Sequence, residues 1–389
     1  MTQPMTARSL MDKLVSFPTV SRDSNLPLVN WVQDYLESQG IKSHRKYDET
    51  GDKAALFAHV GPDQAGGVVL SGHTDVVPVD GQSWDSDPFV VTERDGRLYG
   101  RGTCDMKGFD ALALWALVEA HQSGVQLPLQ LALSYDEEVG CTGAPPMIDR
   151  VLEVLPKASA VIVGEPSMMQ TVTGHKGSCG FHTHVVGFEV HSSLMHNGVN
   201  AIMSGAKLIE WANEMNRLNC AKSLQTDLDA TFDPPWTTVH VGMIEGGTAH
   251  NITAKDCRFG VDFRTVPSEQ LTAWGAAYRA KVREVEAEMQ AVHPEAYIEI
   301  NERFLVPALQ QEPEGEAERM VRQLTGDNAT HVVSYGTEAG QFQERGYSAV
   351  ICGPGDIAQA HQPNEYITKA QFAAGEAFMS SLLKGLSGT

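Results

Sequence analysis

Three short apolar runs in the first half of the chain each stop on groups that are costly to bury. The run 67–71 ends on His73 and Asp75, the run 129–135 on Asp136-Glu137-Glu138, and the run 160–163 on Gly164-Glu165-Pro166. Stretches with apolar positions at helical spacing surround them, at 5–17, 27–38, 106–122 and 145–154. Strands alternating with helices predict an α/β fold, doubly wound and largely parallel. In such a sheet all three runs deliver imidazole or carboxylate groups to one edge, where open sheets bind ligands.

His73 and Asp75 lie two residues apart, so in extended chain they point to the same side. Asp75 then sits behind His73 and fixes its tautomer, while the other ring nitrogen faces a metal. The competing reading is a core histidine bonded to a nearby carboxylate.

The remaining pattern adds a second body. Strands are expected near 41–47 and 54–60, and Asp95-Gly96 signals a hairpin between 89–93 and 97–99. Beyond Gly180 the residues 181–190 and 237–244 alternate like half-exposed strands, with a helix near 198–216. A strand at 257–264 and a charged helix at 268–289 follow. The parallel pattern then returns with a helix near 313–324, a strand at 348–352, a loop at 353–366 and a helix at 368–384. The expected organisation is a core domain of 1–178 plus 303–389, interrupted by an α+β insert at 179–302. A chain of 389 residues is long enough for two such domains.

A formal net charge of −20 argues against nucleic acid and anionic membrane as partners. The six cysteines are scattered without a C-x-x-C pair, which suggests free thiols in a reducing compartment. The longest apolar-rich run, 111–120, is half of a membrane span, and residues 1–20 hold no signal-peptide core. A cytoplasmic protein is expected.

Further candidates lie in loops. Gly100-Arg-Gly-Thr-Cys-Asp105-Met-Lys-Gly108 precedes a helix. It fails as a dinucleotide fingerprint because its third glycine would fall at Asp105, where a carboxylate repels phosphate. Asp105 reads either as a metal ligand in a glycine-rich turn or as a helix N-cap. Glu137 and Glu138 point in different directions in extended chain, so one can bind metal while the other faces a water. His361 sits in the loop Ala360-His-Gln-Pro-Asn-Glu365. Together His73, Asp105, Glu138, Glu165 and His361 offer two imidazoles and three carboxylates, a set that suits zinc or cobalt. Five ligands exceed one tetrahedral site, and a bridging carboxylate lets two metals sit about 3.5–4 Å apart. Glu137 is then the general base on the water between them.

The order S-G-H-T-D-V-V-P, G-R-G-T-x-D-M-K-G, D-E-E-x-G, G-E-P and A-H-Q-P-N-E-Y resembles the di-zinc amidohydrolase and metallopeptidase family. That family includes acetylornithine deacetylase, succinyl-diaminopimelate desuccinylase and zinc carboxypeptidase and aminoacylase relatives. The resemblance implies a zinc-hydrolase-like mixed sheet flanked by helices, with the insert as lid and dimerisation domain. It implies two zinc ions per subunit, with cobalt as a possible substitute, bridged by Asp105. One ion would also take His73 and Glu165, the other Glu138 and His361. Asp75 would orient His73, Glu137 would be the base, and the Asp105–Met106 bond would be cis.

The stretch Val190-His191-Ser-Ser-Leu-Met-His196 resembles the lid motif whose histidine reaches an active site. His191 and His196 are both near that position, and His196 is favoured. The usual proline of the motif is Met195 here. Gly246-Gly-Thr-Ala-His-Asn251 and Asp262-Phe-Arg264 match lid segments that contact the substrate carboxylate; the alternative for Arg264 is a structural salt bridge. His175-Lys-Gly177 and Tyr335-Gly-Thr-Glu338-Ala resemble the deacetylase branch. There Glu338 could meet the side-chain ammonium of acetylornithine, or simply cap a helix. The implied activity is hydrolysis of a small N-acyl amino acid, N-acetyl-L-ornithine first, for arginine biosynthesis, by a homodimer joined through the lid. Alternatives are a desuccinylase or broad N-acyl-amino-acid deacylase, and a non-catalytic metal- or amino-acid-binding protein.

Overall fold

The computed structural model describes residues 3–222, 229–312 and 314–388, which fall into two compact units. The first comprises the chain up to Gly174, Leu309–Val332 and everything from Thr337 on. The second comprises His175–Ala308 and Val333–Gly336. The expected boundary at 302 falls inside the strand Tyr297–Val306. That strand pairs with Gly177–Val186 as far as Val306 against Ser178, so the ladder carries residues 303–306 into the second unit.

The first unit is built on an eight-stranded mixed sheet. Its order is Ser43–Tyr47, Ala54–Val60, Leu129–Ser134, Val68–His73, Ala160–Pro166, Ser348–Gly353, Val172–His175 and His331–Val333. Leu129–Ser134, Val68–His73, Ala160–Pro166 and Ser348–Gly353 are mutually parallel. The strands towards Ser43 pair antiparallel, so the parallel arrangement is confined to the middle. The three apolar runs take central places because both of their faces are covered; every residue of Val68–His73 and Leu129–Ser134 is buried.

The helix Lys107–Ser123 is buried almost all round. It packs on the sheet and against the helices Ala7–Val15 and Lys369–Ser387. Two glycines set how close it comes. A Cβ on Gly72 would lie 2.1 Å from Asp110 Oδ1, and one on Gly164 would lie 2.0 Å from the Phe109 ring. Each glycine immediately precedes a candidate ligand, His73 or Glu165. The glycines therefore bring the helix, and the turn that feeds it, onto the strand ends that carry the chemistry. The Asp105–Met106 bond is cis.

Asp95 and Gly96 both take positive φ, 51° and 73°, and close the hairpin Thr92–Arg94/Arg97–Tyr99. Its first arm lies later than the 89–93 expected. Tyr366–Thr368 adds a third strand to this hairpin and so anchors the far end of the His361 loop. The helix expected over 313–324 runs Glu316–Thr325; residue 313 lies outside the described residues.

The second unit is a five-stranded antiparallel sheet centred on Asp256–Thr265 and Gly177–Val186. The helices Ala201–Ala221 and Leu271–Val292 pack on it, over a core that includes Phe181, Phe263 and Tyr278. The expected strand 237–244 is two short pieces, Thr238–His240 and Ile244–Gly246, on the same neighbour. No helix among the described residues is long and apolar enough to cross a membrane.

Candidate metal centre

The parallel register brings the polar strand ends together. His73 lies opposite Ser134, so Glu137 and Glu138 leave the neighbouring strand just beyond it. Ser71 lies opposite Val163, which sets Glu165 on the other side of His73. Asp105 comes from the turn before Lys107–Ser123, and His361 from the loop after Ser348–Gly353.

Asp105 stands between two imidazoles. Its Oδ1 is 3.1 Å from His73 Nε2, and its Oδ2 is 3.2 Å from His361 Nε2. Glu165 Oε1 is 3.7 Å from His73 Nε2, and Glu138 Oε2 is 2.9 Å from His361 Nε2. The five groups thus form two histidine–carboxylate pairs sharing one carboxylate. Donor atoms of His73, Asp105 and Glu138 lie within 4.8 Å of one another, as do those of His73, Glu137 and Glu165.

The electrostatics explain what this cluster lacks. Burial pushes Glu137 up to about 8, with the Glu138 and Asp105 charges adding to it. Burial and the Asp105 charge push Glu138 up to about 7. Burial, Asp105 and Glu137 hold Glu165 well above the carboxylate range. Hydrogen bonds to Asp105 and Glu138 raise His361 to about 10. Burial alone would raise Asp105, but hydrogen bonds from His361 and His73 hold it below its usual range. Protons are retained wherever positive charge is scarce. Glu138 Oε1 is also buried without a hydrogen-bond partner. A buried orphan acceptor, two imidazole nitrogens and a shared carboxylate fit divalent cations.

Asp75 meets His73 and also supports the turn beyond it. His73 Nδ1 donates to the backbone carbonyl of Asp75 at 2.9 Å, while the nearer carboxylate oxygen stands 3.6 Å away. The carboxylate accepts instead from Ser21 Oγ at 2.7 Å, from the Glu137 amide at 3.1 Å and from the Glu138 amide at 3.3 Å. It holds the turn that presents both glutamates. Lys53 pairs with Asp136, which takes a positive φ of 57° at the start of that turn. The Cys141 thiol donates to Glu137 Oε1 at 3.2 Å.

Glu338 lies inside the first unit. Its carboxylate is 1% exposed and accepts from Ser134 Oγ and, at 3.3 Å, from Ser71 Oγ. Burial pushes it up to about 7. A carboxyl group enclosed between two sheet serines ties together the strands that carry His73 and Glu137.

The other candidates belong to the second unit. His191 begins the short helical turn Ser192–Asn197, accepting from the Ser193 amide at 3.3 Å, and both it and His196 are exposed. Asn251 is its neighbour, its carbonyl accepting from the Ser192 amide at 2.9 Å. Arg264 Nε donates to Asp262 Oδ2 at 3.1 Å, the salt bridge that was the alternative reading.

Sequence reasoning passed over Ser21, Cys141 and the buried pair Arg101–Glu365, whose closest approach is 2.6 Å. Glu365 stands in the same loop as His361 and Arg101 in the Asp105 turn, so residue types were visible there. Their pairing depends on chain ends that meet only in the fold.

Comparison with known proteins places this geometry. The model of "Peptidase family M20/M25/M40" matches residues 69–385. The chain is 35% identical over 378 residues to an acetylornithine deacetylase of Myxococcus xanthus, covering 96% of this chain and 95% of that one. A solved M20 family metallo-carboxypeptidase, Sso-CP2 of Sulfolobus solfataricus, superposes with a TM-score of 0.78 at 18% identity, covering 99% and 100%. The YXEP protein of Bacillus subtilis, described as a dinuclear metal binding peptidase, gives 0.65 at 14% identity, covering 98% of each chain.

Proposed function

The chain belongs to peptidase family M20/M25/M40 and is a hydrolase of that family, and from this premise we propose that it hydrolyses the amide of N-acetyl-L-ornithine to L-ornithine and acetate, as a step of arginine biosynthesis. The single observation that carries a dinuclear reaction is the division of Asp105, one oxygen towards His73 and the other towards His361. His73 and Glu165 would hold one cation and Glu138 and His361 the other, with Asp105 common to both pairs. The donor set would suit zinc, with cobalt as a substitute. Cations bound there would supply Lewis acidity towards the amide carbonyl and the attacking water.

The chain's own groups do the rest. The Glu137 carboxylate takes the proton of the attacking water and returns it to the leaving nitrogen. Its raised pKa in the cation-free protein reflects the enclosure that a general base of this kind needs. Asp75 holds the Glu137–Glu138 turn in place. His196, or its neighbour His191, reaches the developing oxyanion, while Arg264 and Asn251 receive the substrate carboxylate. The second unit serves as lid and as the joint of a homodimer, in the cytoplasm.

The near full-length identity to an acetylornithine deacetylase supports the ornithine substrate. The enclosure of Glu338 favours a second reading, a broader N-acyl-amino-acid deacylase, because it removes the obvious partner of the ornithine side chain from the first unit. The zinc-loaded protein is to be assayed on N-acetylornithine, succinyl-diaminopimelate and N-acetylmethionine. A kcat/KM for acetylornithine at least tenfold above both others supports the first reading. Comparable values for the two acetyl substrates support the second. Turnover of none of the three overturns both.

A further inference from the structure

The turn that carries Asp105 aims its backbone amides at one atom. Gly102 N, Cys104 N and Asp105 N lie 3.0, 2.9 and 3.1 Å from Glu365 Oε1. Three convergent amides in a glycine-rich turn form the cradle that elsewhere receives a phosphate. Here the chain fills it with its own carboxylate. The second oxygen, Oε2, accepts from Arg101 Nη1 at 2.6 Å, and both side chains are almost wholly buried. The Glu365 carbonyl accepts from the Gly100 amide at 2.9 Å, which stitches the two segments in register.

The same ion pair reaches the other candidate ligand loop. Arg101 Nη2 donates to Gln82 Oε1 at 2.6 Å, and Gln82 Nε2 donates to the His361 carbonyl at 2.9 Å. His361 sits at a positive φ of 62°, a conformation its surroundings must impose. One buried carboxylate therefore governs both the amide plane behind Asp105 and, through Arg101 and Gln82, the backbone of His361.

We propose that Glu365 is a positioning residue for the dinuclear centre, locking the Asp105 bridge and the His361 loop into one preorganised unit; the inference rests on the two-cation reading above. A glutamine cannot replace it. With its carbonyl towards the three amides it sets an NH2 against Arg101; turned over, it sets the NH2 against the amides. Partners that orient ligands in this way are worth about 10–100-fold in metal affinity.

The test is uptake of Zn2+ by calorimetry and of Co2+ by its ligand-field absorption, on the full chain stripped of metal. Glu365→Gln is expected to weaken binding of both ions by about tenfold or more and to alter the Co2+ bands. Gln82→Ala, a milder change at a half-buried site, is expected to weaken the ion held by His361 several-fold and to spare the other. Affinities and bands matching the wild type in Glu365→Gln overturn the inference and leave the proposed function standing. If Glu365→Gln does not fold, Gln82→Ala decides in the same way. A wild-type chain that takes up no pair of ions overturns the proposed function, and this inference with it.

Discussion

His73 Nδ1 is held by the backbone carbonyl of Asp75, not chiefly by its carboxylate. The tautomer of the histidine therefore survives loss of the acid, whereas the amides of Glu137 and Glu138 lose their common acceptor. Asp75→Asn is expected to keep two cations per chain, measured by elemental analysis, while kcat falls about 10–100-fold. Loss of the cation at His73 would contradict this division of labour.

On the proposed mechanism Glu137 moves the proton. Glu137→Ala should bind both cations as the wild type does and lose about 10²–10⁴-fold in kcat, measured with the best substrate of the panel. Near-normal turnover would remove Glu137 from the mechanism.

The cation-free cluster makes stability depend on pH. Glu137 and Glu138 titrate near 8 and 7 in the folded chain, and His361 near 10, all above their ordinary values. Through these three groups the folded state holds more protons than the unfolded chain from about pH 4.3 until pH passes their folded values. Raised folded values mean stability that is present at low pH and lost as pH climbs through them. In chelator, Tm should fall steadily between pH 5 and 7, below the range in which the buried Lys107 and Lys176, lowered to about 7 and 8, oppose the trend. Added zinc should flatten the decline, because a divalent charge replaces the retained protons. A Tm in chelator that rises over this range would contradict the crowding of these acids.

Glu338 supports the sheet from within. Glu338→Gln keeps a hydrogen-bonding acceptor for Ser71 and Ser134, and should leave the ratio of kcat/KM between acetylornithine and acetylmethionine unchanged within about twofold. A selective loss on acetylornithine would return Glu338 to the substrate site.

Gly164 is a packing position. A methyl group there meets the Phe109 ring at 2.0 Å, so Gly164→Ala must push back the helix that follows Asp105. We expect a loss of about 1–3 kcal/mol in chemical denaturation, with weakened cation binding. Gly385→Ala, where the added carbon meets nothing within 4 Å, is the control.

What could be read from sequence was local. The apolar runs through Leu70, Leu131 and Ile162 are central strands because a continuous apolar run must be buried on both faces. Their polar ends at His73, Glu138 and Glu165 then fall on one edge because parallel strands finish together. The order of the motifs was enough to indicate the family. Tertiary structure decided what depends on segments far apart in the chain. It placed Glu365 in a cradle of amides beside Asp105, turned the Asp75 carboxylate to the 137–138 turn, and closed Glu338 between two serines. Residue type announces that a carboxylate can accept hydrogen bonds. Which donors reach it is set by packing around the buried helix Lys107–Ser123, where Gly72 and Gly164 leave no room for even a methyl group.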